Sequence, residues 1–402
     1  MKKLTCILIG FIFPIVAIAQ GEANIWYFGY NAGLDFSSGS PVALTDGQIE
    51  TEEGCAAICS PEGQLLFYTD GITVYNRHHQ IMQNGTGLMG HISSTNSANI
   101  ILKPGSTHIY YVFTTAAFET QENTNGFRYS VVDMNLDNGN GAITEKNILI
   151  YTLATEQIGI ARHANNIDYW IITHGQNNNA FMAYLLTSSG LSTTPVITNI
   201  GISLAGQNIE LEIEIGTIKV APVSGKLAFT SSFNGFAQLF DFDNNTGILS
   251  NEITLMEGGI GGAKVLYGAE FSPDESLLYI SDLNMSRGKI YQFNLNASDI
   301  VESMVTLFNS WAYPGQMQLG KDNKIYISFL NRTHLAVINN PDVVGTGCDF
   351  VLNAINLNGA RSRLGLPFFI HYPIFKPDIE FTPVCEGEST NFSFSTNQNV
   401  LS

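Results

Sequence analysis

Two distant stretches of this chain repeat one phrase: AICSPEGQLLFYTD at 57–70 and AEFSPDESLLYISD at 269–282. Each is an apolar run, a turn built on Pro, Gly, Asp or Asn, and a second apolar run rich in aromatic residues. The same plan returns in ILKPGSTHIYYVFTT (101–115), RHANNIDYWIITHG (162–175), KVAPVSGKLAFTSS (219–232) and LGKDNKIYISFL (319–330). Aligned on Pro61, Pro104, Asn165, Pro222, Pro273 and Asp322, the copies recur every roughly 50 residues, the length of a propeller blade and longer than most solenoid repeats. A repeated unit that cannot cover its own apolar faces must stack on its neighbours.

Each copy continues alike. A second strand follows (RYSVVDMN, FMAYLLT, AQLFDFD, KIYQFNL, HLAVINN), then a polar turn and a weaker fourth strand (AITEKNILI, TPVITNI, LSNEITL, SMVTLF, FVLNAINL). The strand before each phrase (CAAIC, SANIIL, TIKVA, GAEFS, GQMQL) is small and apolar, as suits a crowded position near an axis with neighbours on both faces. At the start, ANIWYFG, AGLDFSS and PVALT supply three strands with no inner partner. Near the end, RLGLPFFI (363–370) reads as an inner strand with no followers. Joined, they complete a seventh unit and close the ring by pairing the two ends of the chain, which removes open sheet edges. The expectation is an all-β fold: a seven-bladed β-propeller of the WD40/YVTN-like kind over 20–375.

The flanks differ. MKKLTCILIGFIFPIVAIAQ carries two lysines, a short apolar run and a small-x-small site at Ala17-Ile18-Ala19, so 1–19 reads as a cleaved signal peptide. The rival reading, a retained anchor, suffers from a run short for a bilayer. Export to the cell surface or the medium follows, with export machinery as a first partner and no direct membrane insertion. The formal net charge of −17 without a basic cluster argues against nucleic acid and anionic lipid. Cys55 and Cys59, if they share one extended strand, lie too far apart for a disulfide, so these two and Cys348 read as small buried hydrophobes. From 376 to 402 the chain changes character, with a Pro-marked linker and two short strands around Cys385, and reads as the truncated start of a β-sandwich.

NIWYFGYNAGLDFSSGSPVAL (24–44), EEGCAAICSPEGQLLFYTDGITVYN (52–76) and MQNGTGLMGHISSTNSANIILKPG (82–105) resemble the N-terminal propeller of large Bacteroidota surface proteins. That family carries PKD or Ig-like repeats and a type B sorting domain of the type IX secretion system, and is associated with gliding motility. PDIEFTPVCEGESTNFSFS (377–395) resembles the opening of such a PKD-like domain. The resemblance implies surface display or release and a binding or adhesive role, and it supplies no catalytic residue.

Chemical motifs are sparse. Asp241, Asp243 and Asn245, with Glu252 further on, superficially resemble a calcium loop, but Gly247 stands one position late and two of the three related turns lack the carboxylate set, so hairpin chemistry accounts for the shared part. Ca2+ is the one cofactor this leaves open. The histidines read as exposed loop residues; His78 and His79 point to opposite faces of a strand, and His163 and His174 lack a third ligand. No nucleophile motif of the G-x-S-x-G type is present. A ligand would meet the residues gathered around the channel mouth: Glu53, Asn96, Arg162, His163, Glu214, Gln316 and Arg363. The function expected is a binding and adhesion scaffold engaging extracellular protein or glycan through loops. The alternative is an extracellular hydrolase or lyase using the funnel.

Overall fold

The computed structural model describes residues 21–117, 126–176, 178–202, 215–232, 235–258 and 264–370, with the backbone of Asp378–Phe381 and Phe392–Ser395. The signal peptide, Glu214, Cys385 and the remainder of 371–402 lie outside the described residues.

The repeated phrase sets the architecture. In its first copy the first strand is Ala56–Cys59 and the phrase's aromatic run is Leu65–Thr69, followed by Thr73–Asn76 and Ile81–Thr86, all antiparallel neighbours. The next copy, Ala98–Leu102, Ile109–Thr115, Phe127–Asp133 and Ala142–Tyr151, repeats the meander and touches the previous one edge to edge through a single parallel pair, Ala142 with Gln83. Three further four-stranded meanders start at Ile218, Leu266 and Pro314, and one of five strands starts at Gly159. The chain's first sheet has three strands, Ile25–Phe28, Ala32–Asp35 and Val42–Leu44.

All six aligned turn positions fall between the first and second strands of their units. Each turn holds one residue with positive φ: Gly63, Gly105, Asn166, Gly225, Glu275 and Asn323. Gly and Asn tolerate this region readily, whereas Glu275 pays a steric cost. Its carboxylate offsets that cost by accepting Val223 N at 2.8 Å and Ser224 N at 2.6 Å from the neighbouring unit's turn.

The apolar core lies between units. One layer joins Trp170, Phe181 and Ile172 to Phe229, Phe240 and Leu249 of the following unit. Equivalent layers join Ile100 and Val112 to Phe67 and Val74, and Leu277 and Ile290 to Ile325 and Ile338. A hydroxyl inside the repeated phrase seals several of these seams. Thr230 Oγ1 donates to Tyr267 O at 2.7 Å, Ser281 Oγ to Gly315 O at 2.7 Å and Ser328 Oγ to Leu364 O at 2.6 Å. Thr115 Oγ1 reaches Glu156 O at 3.1 Å. Each bond ties the second strand of one unit to the start of the next unit's inner segment.

The two ends of the described chain meet. Trp26 is fully buried, its ring centroid 4.8 Å from Phe36, 5.6 Å from Tyr326 of the last meander and 5.7 Å from Phe369. One difference from the sequence expectation appears here: 363–370 forms no regular strand. Arg361 and Ser362 make isolated bridges to Tyr30 and Arg332, and Leu364 then bonds on both sides, its N–H to Glu52 O at 2.8 Å and its C=O to Gln316 N at 2.7 Å. A Cβ on Gly365 would collide with Glu53 O, and one on Gly315 with Leu364 O, so the backbones pass too closely for side chains. Pro367 has no N–H to give a ladder. The Gln318 side chain substitutes, accepting Phe369 N at 3.1 Å and donating to Phe369 O at 3.3 Å.

Beyond the sheets, Asp378–Phe381 and Phe392–Ser395 pair as an antiparallel hairpin, as expected for the two short strands around Cys385. Cys55, Cys59 and Cys348 are buried free thiols. No helix among the described residues is long and apolar enough to cross a membrane.

Ser328→Ala removes a buried hydroxyl from the seam while Leu364 O keeps its bond from Gln316 N. We expect a loss of about 1 kcal/mol in unfolding free energy, read by denaturant titration, and a smaller loss for Ser→Ala at exposed Ser38.

Candidate functional site

Antiparallel meanders put the connections alternately at two ends. Turns between first and second and between third and fourth strands lie on one face, the turn face. Loops between second and third strands, and connections to the next unit, lie on the other, the loop face. The inner strands run between these faces around the axis.

At the loop face the axis is filled with buried polar side chains. Glu53, Thr95, Glu156, Thr217, Tyr267 and Gln316 are all buried, Glu156 and Tyr267 completely. Thr95 donates its backbone N–H and its hydroxyl to Glu156 Oε2, at 2.7 and 2.9 Å, and its hydroxyl lies 3.4 Å from Glu53 Oε2. Burial, then the charges of Glu53 and Glu156, push the Tyr267 phenol well above its ordinary range. Thr217 Oγ1 lies 2.9 Å from Tyr267 O and 3.1 Å from Gln316 Oε1, linking three inner segments.

Further along the same strands sits an ion pair. Lys219 Nζ is 2.7 Å from Glu270 Oε2, and both side chains are buried. Glu270 also accepts Phe271 N at 3.0 Å and Leu319 N at 2.9 Å. Burial raises the Glu270 carboxyl and Lys219 partly offsets this. Lys219 lies 4.6 Å from the Phe368 ring centroid and 3.4 Å from Gln318 Oε1, so this layer also anchors the closing segment.

Of the residues expected at the channel mouth, Glu53 and Gln316 are both buried in this layer, Glu53 beside Thr95 and Gln316 beside Thr217. Asn96 lies beside it and accepts Ile158 N at 3.1 Å, bracing the next unit. Arg363 sits on the loop face, ion-paired with Glu52, bonded to Asn331 and 4.8 Å from the Tyr30 ring centroid. Arg162 and His163 must be corrected. The inner strand there is Gly159–Arg162, so they end it at the turn face, with Arg162 by Tyr169 and His163 packed 5.7 Å from Trp170. The residue truly preceding that strand region, Glu156, was missed, as were Thr95 and Tyr267. Counting back from IGIAR would have found Glu156, and Tyr267 stands directly before GAEFS.

The candidate calcium hairpin uses its own carboxylates. Asp241 pairs with Lys226 and accepts Asn251 Nδ2 at 2.7 Å. Asp243 accepts Asn245 N at 2.9 Å and Thr246 Oγ1 at 2.7 Å, closing the turn. Asn245 enters through its backbone.

Two histidines depart from the exposed-loop expectation. His79 Nδ1 lies 3.0 Å from Tyr68 Oη and its Nε2 lies 3.4 Å from Asp46, which also accepts Tyr27 Oη at 2.9 Å. His174 is buried between Phe181 and Phe229, at ring distances of 4.7 and 5.0 Å, at the opposite end of its unit from His163.

On the loop face, Tyr30, Met89, Ile92, Leu153, Met285 and Trp311 are exposed. Trp26 and Trp170 are buried, whereas Trp311 is 68% exposed. Its loop abuts that of Met285, since Ser310 pairs with Gly288. The turn face also exposes apolar side chains, but these are scattered aliphatic residues such as Ile167, Val223 and Val344, with Met304.

Neither a family model nor a curated protein matches the chain. Among solved structures, a putative 6-phosphogluconolactonase from Bacteroides fragilis is similar at TM-score 0.53 and 8% identity, over 88% of this chain and 99% of that one. The Dos1 propeller gives TM-score 0.42 at 8% identity, over 76% and 73% of the two chains. The first likeness speaks to fold alone and accords with the ring of meanders: the architecture is all-β and propeller-like.

Burial pushes His174 down from 6.5 to about 4. The folded protein holds this ring neutral while the unfolded chain protonates it, so stability falls as pH drops through 6.5 and levels off near 4. The total is about 3 kcal/mol. His174→Gln should flatten that part of the pH profile of unfolding free energy relative to the wild type; parallel profiles would contradict the assignment.

Proposed function

We propose that this chain is an exported binding scaffold: a seven-bladed β-propeller, with a signal peptide at 1–19, displayed at the cell surface or released, and recognising extracellular protein or glycan through its loop face. The observation that carries the reading is Trp311, the exposed member of three tryptophans, on a loop that adjoins the loop of exposed Met285. Exposed indole and thioether groups are the side chains that interfaces favour, because they give large contact area at low entropic cost. The filled axis supports the same reading, since Glu156 and Tyr267 are closed off from solvent and recognition falls to the rim.

The resemblance of 24–105 to gliding-motility and type IX secretion-associated propellers fits this role, as does the hairpin Asp378–Phe381 with Phe392–Ser395, which suits the opening of a PKD or Ig-like domain. The alternative is an extracellular hydrolase or lyase. It would require substrate to reach the axial carboxylates past the buried cluster.

Glycan-array and peptide-library screens of the purified protein should give a ligand whose affinity falls at least about tenfold in Trp311→Ala. Binding unaffected by Trp311→Ala and by Met285→Ala would move the site off this face. Turnover of a glycan or lactone panel that disappears in Glu156→Gln would favour the enzyme instead.

A further inference from the structure

Lys219, Glu270 and Gln318 stand together where an amine, a carboxylate and a primary amide can react. Lys219 Nζ lies 2.7 Å from Glu270 Oε2 and 3.4 Å from Gln318 Oε1, and all three side chains are buried. The Phe368 ring, with its centroid 4.6 Å from the amine, covers the group with apolar surface. A buried ion pair is a weak source of stability, since apolar side chains of similar volume often serve a core as well. Keeping one against an amide calls for a reason.

The amide is held as an electrophile. Gln318 Oε1 accepts the Phe369 N–H at 3.1 Å as well as the lysine, so two donors face the oxygen on which charge gathers when a nucleophile reaches Cδ. Gln318 Nε2 donates to Leu319 O at 3.0 Å and to Phe369 O at 3.3 Å, which fixes the plane of the group. Burial raises the Glu270 carboxyl, and Lys219 with two backbone N–H groups only partly offsets this, so a proton passed from the lysine to Glu270 removes both buried charges. The amine it leaves is a nucleophile. Three inner strands hold the partners in place, so the amine meets the amide at an effective concentration far above that of any free reagent.

We infer that Lys219 and Gln318 join in an intramolecular amide cross-link, with Glu270 as the proton carrier. The Nζ lone pair forms a bond to Gln318 Cδ, and the Cδ–Nε2 bond breaks with its electron pair on Nε2. Glu270 takes one proton from Nζ, hands it to Nε2, and takes a second from Nζ as the new amide forms. Ammonia leaves, Glu270 ends as a neutral acid, and no oxidant or cofactor is consumed. The bond would join the meander beginning at Ile218 to the one beginning at Pro314, between residues 99 positions apart, and through Gln318 it would brace the closing segment. Among the described residues no disulfide does this, because Cys55, Cys59 and Cys348 are free thiols. The cross-link is independent of the binding reading.

Mass spectrometry of the purified full chain tests it. The expected intact mass is one NH3 below that of the linear chain with the same termini. A tryptic digest should give one branched peptide containing both Lys219 and Gln318, with no cleavage after Lys219. Glu270→Gln and Gln318→Met should each restore the linear mass and two separate peptides. The wild-type peptide map decides the matter even where a variant fails to fold. A full linear mass with cleavage after Lys219, or an ammonia loss that maps to another residue, would overturn the inference and leave Lys219 and Glu270 as an ion pair alone.

Discussion

Every meander in this chain has two apolar faces, and neither can face water. That constraint places the core between units rather than within them, and it makes the end of the chain as important as any repeat. An open array would leave Trp26 and its sheet uncovered on one side and Tyr326 uncovered on the other. The closing segment brings both into one cluster with Phe369. Joining ends so far apart is cheaper than it looks. Loop-closure entropy grows logarithmically, so a loop roughly thirty times longer than a tight connection costs about 3 kcal/mol more. Burying one large aromatic side chain and its ring contacts offsets a loss of that size.

The seam is nonetheless built differently from the other joints. Elsewhere a hydroxyl from the repeated phrase reaches the carbonyl of a true inner strand. At the closure Ser328 makes the same bond to Leu364, but the segment beyond it is held by the Gln318 amide, which imitates a peptide group against Phe369. Lys219 and Glu270 support that amide from the inner strands of the two preceding units. A buried ion pair in a low dielectric is tolerable only when its remaining hydrogen-bonding capacity is met, and the two backbone N–H groups on Glu270 do that.

Much of this was legible in the sequence because turns obey local rules. Pro61, Pro104, Asn165, Pro222, Pro273 and Asp322 each mark a real turn, and the three strands before Thr45 fall where their patterns put them. The reading slipped where a local pattern was overruled by crowding. RLGLPFFI has the composition of an inner strand, yet Gly365 and Pro367 fit a backbone threaded between two neighbours rather than laddered to one. In the fourth unit the phrase RHANNIDYW starts at the end of the inner strand, so Arg162 and His163 were assigned to the wrong face while Glu156 went unnoticed. His79 was invisible for another reason: its partner Asp46 lies in the segment after the first sheet and Tyr68 in a strand of the second, and no spacing rule connects them.

The contents of the axis bear on function more than the fold does. At the axis Glu156 and Tyr267 lie under neighbouring side chains and Gln316 is tied to Thr217. Groups closed off in this way act on the stability of the ring. A rigid ring, in turn, is what lets short loops present Trp311, Met285 and Tyr30 without further ordering, because side chains on a fixed frame lose less entropy when a ligand docks. On the proposed reading, a net charge of −17 leaves aromatic and thioether contacts, rather than attraction to an acidic surface, as the means by which this face would hold a partner.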